Sequence, residues 1–267
     1  MNTICTTAES ASRYVTGWLQ RQPAVKEESI TDWLLDYLTQ HNSQIRYYQF
    51  SRHEEGRSSG ADWDWWILAN RGCFKLRVQA KKLRSNYDHY NSLAHSNSIG
   101  YQIDLLLDSS ASLNFYPIYS LYGLSEGVER CSRTTRPESL HICSAQEVYD
   151  LLFGTARSRI ASTNLLDLSI PLPCLFCCPL VRDHPRGGPH ALFSHYFRTP
   201  PRPRGDGAEG APDQGRGFEE ETPAIIKRLF EIREINTNTS ELLLEYQSMF
   251  AGSNGVAVTR LPEHEEG

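Results

Sequence analysis

Two aspartates open one apolar run of this chain, and a glutamine and a lysine close the next. The first run begins Gly60-Ala61-Asp62-Trp63-Asp64-Trp65-Trp66, and the second ends Val78-Gln79-Ala80-Lys81. Between them, residues 70–72 (Asn-Arg-Gly) are typical of a tight turn, which predicts a β-hairpin. Because the open ends of a hairpin meet, we expect an aspartate to lie beside Gln79 and Lys81.

Carboxylate oxygens, an amide oxygen and a lysine are groups suited to Mg²⁺-assisted phosphodiester hydrolysis. Oxygen ligands hold the ion, and a positive side chain stabilises the charge that develops on the phosphate. Residues two apart on a strand face the same way, so Asp62 and Asp64 form one pair and Gln79 and Lys81 another. We predict that one of the aspartates, Asp64 or Asp62, binds Mg²⁺ or Mn²⁺ together with Gln79. Lys81 would hold the scissile phosphate or orient the attacking water.

The register of the hairpin decides which aspartate is the better ligand. A two-residue turn at 71–72 places Asp64 opposite Gln79. Asp62 then lies opposite Lys81. This register favours Asp64 as the metal ligand and leaves Asp62 as the alternative.

A further acid comes from the segment that precedes the hairpin. Residues 27–40 carry apolar side chains at helical spacing and acids in the first turn, where the helix dipole favours negative charge. Glu28 opens this predicted helix, and Asp32 lies four residues on along the same face. We favour Glu28 as a metal ligand, because the start of the helix can point at the strand ends while Asp32 can face solvent.

The second strand of the hairpin is strongly basic. If it lines a groove, its side chains contact phosphates without reading bases; the alternative is a solvated strand face. The candidate substrate-binding residues are Lys75, Arg77, Lys82 and Arg84.

Two further groups of residues each have two interpretations. Trp63, Trp65 and Trp66 can stack on bases, but we expect them in the core because aromatic side chains dominate buried area. Cys174 and Cys177 form a CxxC that could be half of a zinc site, although free cysteine in an apolar run behaves as a small hydrophobe. The other candidate zinc ligands are Cys131, Cys143, His184 and His190.

The composition argues against several classes of protein. The 267 residues carry a net charge of −5, which is unlike a surface coated for nucleic-acid binding but compatible with a local basic groove. The longest apolar run, residues 170–181, is too short and too rich in proline to span a bilayer. The N-terminus lacks the pattern of a signal peptide. Seven irregularly spaced cysteines predict reduced thiols, and we expect a cytoplasmic protein without a membrane partner.

The order of predicted elements indicates an α/β protein with a hairpin built into its sheet. Strands are predicted at 45–50, 115–122 and near 172–178, and helices at 100–110, from residue 144 and at 223–235. The predicted divisions are a helical extension at 1–24, a main domain at 25–181, a disordered Pro/Gly/Arg-rich linker or insertion at 182–217, and a C-terminal helical segment and tail at 218–267.

These residues also carry a resemblance to a known superfamily. An acid on a leading helix (Glu28), acids that open a strand (Asp62 and Asp64) and Gln79-Ala80-Lys81 resemble the PD-(D/E)xK nucleases, in the variant with Gln in place of an acid, as in Mrr-like restriction endonucleases. The segment 27–122 further resembles an uncharacterised bacterial family of restriction-endonuclease-like proteins. The resemblance covers residues 25–180 best. The chain departs from the usual pattern in having two acids before the hairpin, which leaves the metal ligand open.

The resemblance implies a restriction-endonuclease-like core, in which a central mixed sheet is flanked by helices. It also implies a metal-dependent endonuclease that hydrolyses nucleic acid, with DNA favoured over RNA by the resemblance alone. A role in defence against foreign DNA, a partner in a defence system and a homodimer are further implications. Two other classes stay open: a catalytically silent nucleic-acid-binding or scaffold protein on the same fold, and an interaction module stabilised by zinc at Cys174 and Cys177.

Overall fold

A mixed β-sheet with helices on both faces forms the protein in the computed structural model. The structure describes residues 3–50, 59–70, 72–83, 89–90, 93–96, 98–123, 139–154, 160–182, 188–197, 216–232, 237–250 and 252–262. The α/β class predicted from the sequence is confirmed.

The strands, numbered along the chain, are β1 Ile45–Gln49, β2 Trp63–Leu68, β3 Cys73–Lys82, β4 His89–Tyr90, β5 Tyr116–Tyr122, β6 Leu140–Ser144, β7 Ile160–Ala161, β8 Ser169–Pro171, β9 Phe218–Glu219 and β10 Gly255–Arg260. The helices are α1 Ile4–Arg21, α2 Glu27–His41, α3 Gln102–Ser112, α4 Ala145–Gly154, α5 Ser162–Leu166, α6 Cys174–Cys177, α7 Pro179–Arg182, α8 Pro189–Tyr196, α9 Ala224–Glu231 and α10 Thr237–Met249.

The main sheet has the strand order β1-β10-β2-β3-β5-β6-β8, and β9 pairs with β3 in addition. Strand β2 is antiparallel to β3 and parallel to β10, and β3 is parallel to β5. The remaining neighbours in this order are antiparallel. The predicted hairpin is therefore present at the centre of an open mixed sheet.

The register of the hairpin differs from the predicted one. Leu68 pairs with Cys73, and four residues, 69–72, connect the strands, with Ala69 N donating to Gly72 O at 3.1 Å. Asp64 therefore lies opposite Arg77, not opposite Gln79. The predicted register is wrong because it assumed a two-residue turn, and the longer turn moves every pair by two residues.

The two faces of the sheet pack different helices. Trp63 and Trp65 belong to a core cluster that includes side chains of α1, α2, α6 and α8. Trp66 belongs to the cluster on the other face, which includes side chains of α9 and α10. All three tryptophans are buried, so their prediction as core residues is confirmed.

The segments predicted at 172–178 and 182–217 differ in the structure. Residues 174–177 form the short helix α6, and the nearby strand β8 ends before it. Helix α8 lies within the segment predicted to be unpacked, and its Phe193 stacks on Phe74 with ring centroids 4.8 Å apart. The predicted strand is therefore wrong for residues 174–177, and the predicted disorder is wrong for residues 189–196. In both segments apolar side chains interspersed with prolines still reach the core. The rest of 182–217, apart from residues 182, 188 and 197 and the segment's end at 216–217, lies outside the described residues.

In the described part of the chain, no helix is long and apolar enough to cross a membrane. The six described cysteines form no disulfide.

Strand β10 is an internal strand of the sheet, next to the edge strand β1, although the sequence predicts a helical segment and tail there. It pairs with β1 on one side and with β2 on the other. Its residues are apolar on both faces: Val256 and Val258 contact one cluster and Ala257 the other. This is the pattern of a strand buried on both sides.

We therefore expect the amides of β10 to exchange with solvent as slowly as those of β2. Both strands are hydrogen-bonded on two sides, whereas β1 lies at the edge of the sheet and is expected to exchange faster. Hydrogen–deuterium exchange with peptide-level mass spectrometry measures this directly. Exchange of residues 255–260 within seconds, as in an unstructured tail, would contradict the topology.

Candidate active site

The turn that leads into β2 fixes the position of Asp62. Gly60 has a φ of 69°, and a Cβ there would collide with the backbone of Gln102 in α3, so the chain lies directly on the start of that helix. The hydroxyl of Ser59 donates to Gly252 O and accepts from Ala61 N. The turn is thus tied to α3 on one side and to the chain before β10 on the other.

The backbone of Asp62 departs from the regular ladder of the hairpin. Its N–H donates to Val78 O at 2.8 Å, although Val78 is paired with Trp63. Two residues then oppose one, as in a β-bulge, and a bulge re-aims the side chain it carries. This explains why Asp62 and Asp64, two residues apart, have different surroundings.

The carboxylate of Asp62 lies against the end of β3. Its Oδ2 accepts from Gln79 Nε2 at 2.6 Å and from Ala80 N at 2.7 Å. Among the described residues, Oδ1 has no hydrogen-bond donor. One oxygen is therefore fixed by the protein and the other is available to a ligand.

Gln79 is buried, with 2% of its surface exposed, and its amide is held in one orientation. Its Nε2 donates both to Asp62 and, at 3.1 Å, to Ala80 O, so the nitrogen position is defined by two acceptors. The buried Oε1 has no hydrogen-bond partner among the described residues. A buried oxygen without a donor is costly, so it is a candidate ligand for a cation.

Lys81 and the start of α2 complete the cluster. The Nζ of Lys81 lies 3.9 Å from Glu27 Oε1, and the other oxygen of Glu27 accepts from Lys82 N at 2.6 Å. Glu28, favoured from the sequence, is exposed, but its charge acts on Asp62, as does that of Asp32. The structure therefore adds Glu27 as the acid that contacts the end of β3.

The helical pattern around residue 27 contains a weak signal for Glu27. Both glutamates lie in the first turn of α2, and the rotation of 100° between neighbours decides which one reaches the sheet. Ile30 and Leu34 are buried, and Glu27 is three residues before the first of them, on the same side of the helix. The positions of the buried apolar residues therefore indicate that Glu27 faces the sheet.

Burial perturbs both carboxylates of the cluster. Removal from water raises the pKa of Asp62 to about 6, against the lowering effects of Ala80 N and Lys81. Removal from water also raises the pKa of Glu27 to about 7, and Lys81 opposes this shift. Their negative charges are therefore incompletely compensated by the protein, which is a common property of functional sites.

Asp64 has a different role from Asp62. Arg77 Nε donates to its Oδ1 at 2.8 Å and Arg77 Nη2 to its Oδ2 at 3.1 Å, and both side chains are fully buried. Oδ2 also accepts from Tyr246 at 2.9 Å and from Ser253 at 3.2 Å. Since the protein supplies donors to both oxygens, we interpret Asp64 as a structural residue.

The three described candidates for substrate binding do not line a common basic groove. Lys75 is buried, pairs with Glu219 and lies 5.1 Å from the centre of the Phe115 ring. Arg77 is buried against Asp64, and the Nζ of Lys82 donates to Pro23 O at 2.7 Å. Arg84 lies outside the described residues. Of the three described residues, Lys82 is the one that contacts the cluster, through its backbone bond to Glu27.

The donor set is compatible with a hard divalent cation. No group of three or more His, Cys, Asp or Glu side chains among the described residues is arranged to bind a metal. A magnesium ion, however, keeps several waters and needs few protein ligands. Asp62 Oδ1, Gln79 Oε1 and Glu27 supply oxygens of the kind that it prefers.

The CxxC residues do not form a zinc site with other described residues. Cys174 and Cys177 are buried in α6 within the apolar cluster around Trp65. Cys5 Sγ donates to Phe176 O at 3.3 Å in the same region. Two of the proposed partners, Cys131 and His184, lie outside the described residues.

One family matches residues 4–265, nearly the whole length of the chain, and it is described as a family of unknown function, DUF6615. The chain belongs to the DUF6615 family. No curated protein and no solved structure matches it. Membership of DUF6615 therefore brings no activity with it, and the functional argument rests on the cluster at Asp62.

Replacement of Asp64 tests its structural role. We expect Asp64→Ala to lower the free energy of unfolding by about 3–5 kcal/mol, because it leaves Arg77 charged and buried without its partner. Urea unfolding at pH 7 measures the change. The control is Glu245→Ala, which breaks the exposed pair with Arg228 and is expected to cost less than about 1 kcal/mol. A loss for Asp64→Ala no larger than that of the control would contradict the assignment.

The pH dependence of stability tests whether the buried negative charges of Asp62 and Glu27 destabilise the fold. Because both pKa values are raised in the folded state, the stability they contribute is present below about pH 4 and is lost as the pH rises through about 6 and 7. In EDTA at pH 8, we expect Asp62→Asn and Glu27→Gln each to be more stable than the wild type, by about 1–3 kcal/mol.

Urea unfolding at pH 5 and pH 8 measures this gain, with exposed Glu231→Gln as the control. Mg²⁺ or Mn²⁺ should stabilise the wild type at pH 8 and should stabilise Asp62→Asn less, since a bound cation favours the charged carboxylate. Variants that are less stable than the wild type at pH 8 would contradict the assigned destabilisation by these two charges.

Proposed function

We propose that this protein is a metal-dependent nuclease of the PD-(D/E)xK type that hydrolyses phosphodiester bonds of nucleic acid. The observation that carries the proposal is the contact of Asp62 with the end of β3, where Gln79 and Ala80 hold one of its oxygens. Lys81 follows directly and is close to Glu27. These are the residue types of the Gln variant of the motif, on neighbouring strands.

The order of elements gives the proposal further support. A helix that carries acids (α2) precedes the hairpin β2–β3, and α3 then leads to β5, which lies parallel beside β3. The superfamily resemblance implies a mixed sheet flanked by helices, and this sheet is of that general kind. A restriction-endonuclease-like core is part of the proposal.

Asp62 and Gln79 would hold Mg²⁺ or Mn²⁺, with Glu27 or Glu28 as a further ligand directly or through water. The ion would polarise the phosphate and lower the pKa of a bound water. The protein contributes rigidity at this point: two donors fix Asp62 Oδ2, and two acceptors fix the Gln79 amide nitrogen. The ligand oxygens are thus pre-organised, which lowers the cost of assembling the site.

Lys81 supplies the positive charge that phosphodiester cleavage needs. Its side chain is 7% exposed, and within the described residues its only ion pair is the long one with Glu27. A lysine with a loose partner in a partly desolvated site can transfer its contact to a phosphate oxygen. We assign it to the scissile phosphate. DNA is proposed as the substrate on the superfamily resemblance alone, as is a role in defence against foreign DNA.

Cleavage assays with matched lysine variants test the proposal. Purified protein is incubated with plasmid, linear and single-stranded DNA and with RNA, in Mg²⁺, Mn²⁺ or EDTA. We expect metal-dependent cleavage by the wild type and a loss of about 10²–10³-fold in Lys81→Ala and Asp62→Asn. Lys227→Ala, a change at an exposed lysine on α9, is expected to cleave like the wild type.

Three outcomes separate the competing functions. Equal cleavage by the wild type and Lys81→Ala would refute the assigned site. Metal-independent binding of nucleic acid without cleavage would support the silent, nucleic-acid-binding alternative. Stoichiometric zinc in the purified protein, lost in Cys177→Ser, would support the zinc-stabilised interaction module.

A further inference from the structure

We infer that Tyr47 is a substrate-contacting residue of the candidate active site, whose hydroxyl donates a hydrogen bond to a non-bridging oxygen of the scissile phosphodiester. The inference rests on the proposed nuclease function and adds a residue that neither the motif nor the sequence pattern indicates. Tyr47 lies on β1, two strands away from β2.

The ring of Tyr47 lies across β10 towards the end of the sheet that holds Asp62. Tyr47 pairs with Ala257, but its phenol lies over Gly255, two residues nearer the start of β10. A Cβ at Gly255 would be 2.8 Å from Cε2 of Tyr47 and 2.9 Å from its hydroxyl. Such distances are too short for any side chain, so glycine at this position is what gives the phenol room.

The position of the phenol brings it close to the candidate site. Gly255 follows Asn254, whose N–H donates to Asp62 O at 3.0 Å. Burial is the largest cause that raises the pKa of Tyr47, and the negative charges of Asp32 and Asp62 raise it further. Tyr47 also packs against the core cluster that includes side chains of α2, so its ring lies on the face of the sheet that this helix covers.

The hydroxyl is available to a ligand as a donor. Tyr47 is half-buried, and no hydrogen bond from a described residue reaches its hydroxyl. Of the buried phenols of the core, that of Tyr246 is bonded to Asp64, whereas that of Tyr119 has no partner among the described residues. Tyr119 is fully buried, so of these two unbonded phenols only the half-buried Tyr47 is accessible to a ligand. A protonated phenol beside carboxylates can offer a phosphate oxygen a neutral donor, which adds no charge repulsion.

A purely structural role makes a different prediction. If Tyr47 only fills the space above Gly255, phenylalanine fills it equally well and the hydroxyl has no effect on cleavage. Tyr47→Phe therefore separates the two roles without opening a cavity. Tyr14→Phe is the matched control, because this tyrosine is 46% exposed on α1 and stacks on Trp33.

The experiment compares steady-state cleavage by the wild type, Tyr47→Phe and Tyr14→Phe. We expect Tyr47→Phe to lower kcat by about 10- to 100-fold, as for the loss of one hydrogen bond to a charged group. Tyr14→Phe should match the wild type. Substrates with a single Rp or Sp phosphorothioate at the mapped cleavage position provide the second readout. Sulfur accepts hydrogen bonds poorly, so one diastereomer should be cleaved slowly by the wild type, with a smaller sulfur effect in Tyr47→Phe.

Each outcome decides the assignment. A lower kcat in Tyr47→Phe together with a reduced sulfur effect supports the contact. Cleavage by Tyr47→Phe at the wild-type rate, or an unchanged sulfur effect for both diastereomers, overturns it and leaves the nuclease proposal intact. If the wild type cleaves no substrate with any ion, the proposed function fails and the role of Tyr47 fails with it.

Discussion

The buried pair of Asp64 and Arg77 is the interaction on which the rest of the structure depends. It joins β2 to β3 at the centre of the sheet and is fully buried. The same two side chains also bond to Tyr246 in α10, to the carbonyl of Phe250 just after that helix, to Ser253 before β10, and to the Ser109 carbonyl in α3. Desolvation of two charges is expensive, and only a network that satisfies both groups makes the pair tolerable.

This network also determines what lies at the end of the hairpin. A register that pairs Asp64 with Arg77 leaves Asp62 next to Gln79 and the backbone of Ala80. A shift of the register by one residue would turn a buried tryptophan of β2 to the opposite face of the sheet. It would also leave Arg77 without Asp64 as its partner. The buried central pair and the carboxylate at the strand end are therefore parts of one arrangement. Asp64 is bonded through both carboxylate oxygens, whereas the donors to Asp62 among the described residues reach only its Oδ2.

Local patterns in the sequence predicted the elements and missed the contacts between distant segments. The helix at Glu27, the hairpin and the buried tryptophans follow from periodicity within a few residues. The position of β10 depends on pairing between residue 256 and residue 64, which no local pattern contains. The choice between Asp62 and Asp64 likewise depends on Tyr246 and Ser253, about 180 residues further along the chain. The preference for Asp64 as the metal ligand rested on a register that the structure does not have, whereas the predicted proximity of an aspartate to Gln79 is present at Asp62.

The same physics explains why the two aspartates differ in their effect on stability. Asp64 has four donor contacts to its carboxylate, so its charge is compensated where it is buried. Asp62 has two donors on one oxygen, and further acids of α2 act on it, so its charge is a cost to the fold. A fold optimised only for stability would not place Glu27, Glu28 and Asp32 around that carboxylate. Their arrangement is understandable if a cation and a phosphate supply the missing interactions. The uncompensated charge at this end of the sheet is thereby connected to the proposed chemistry.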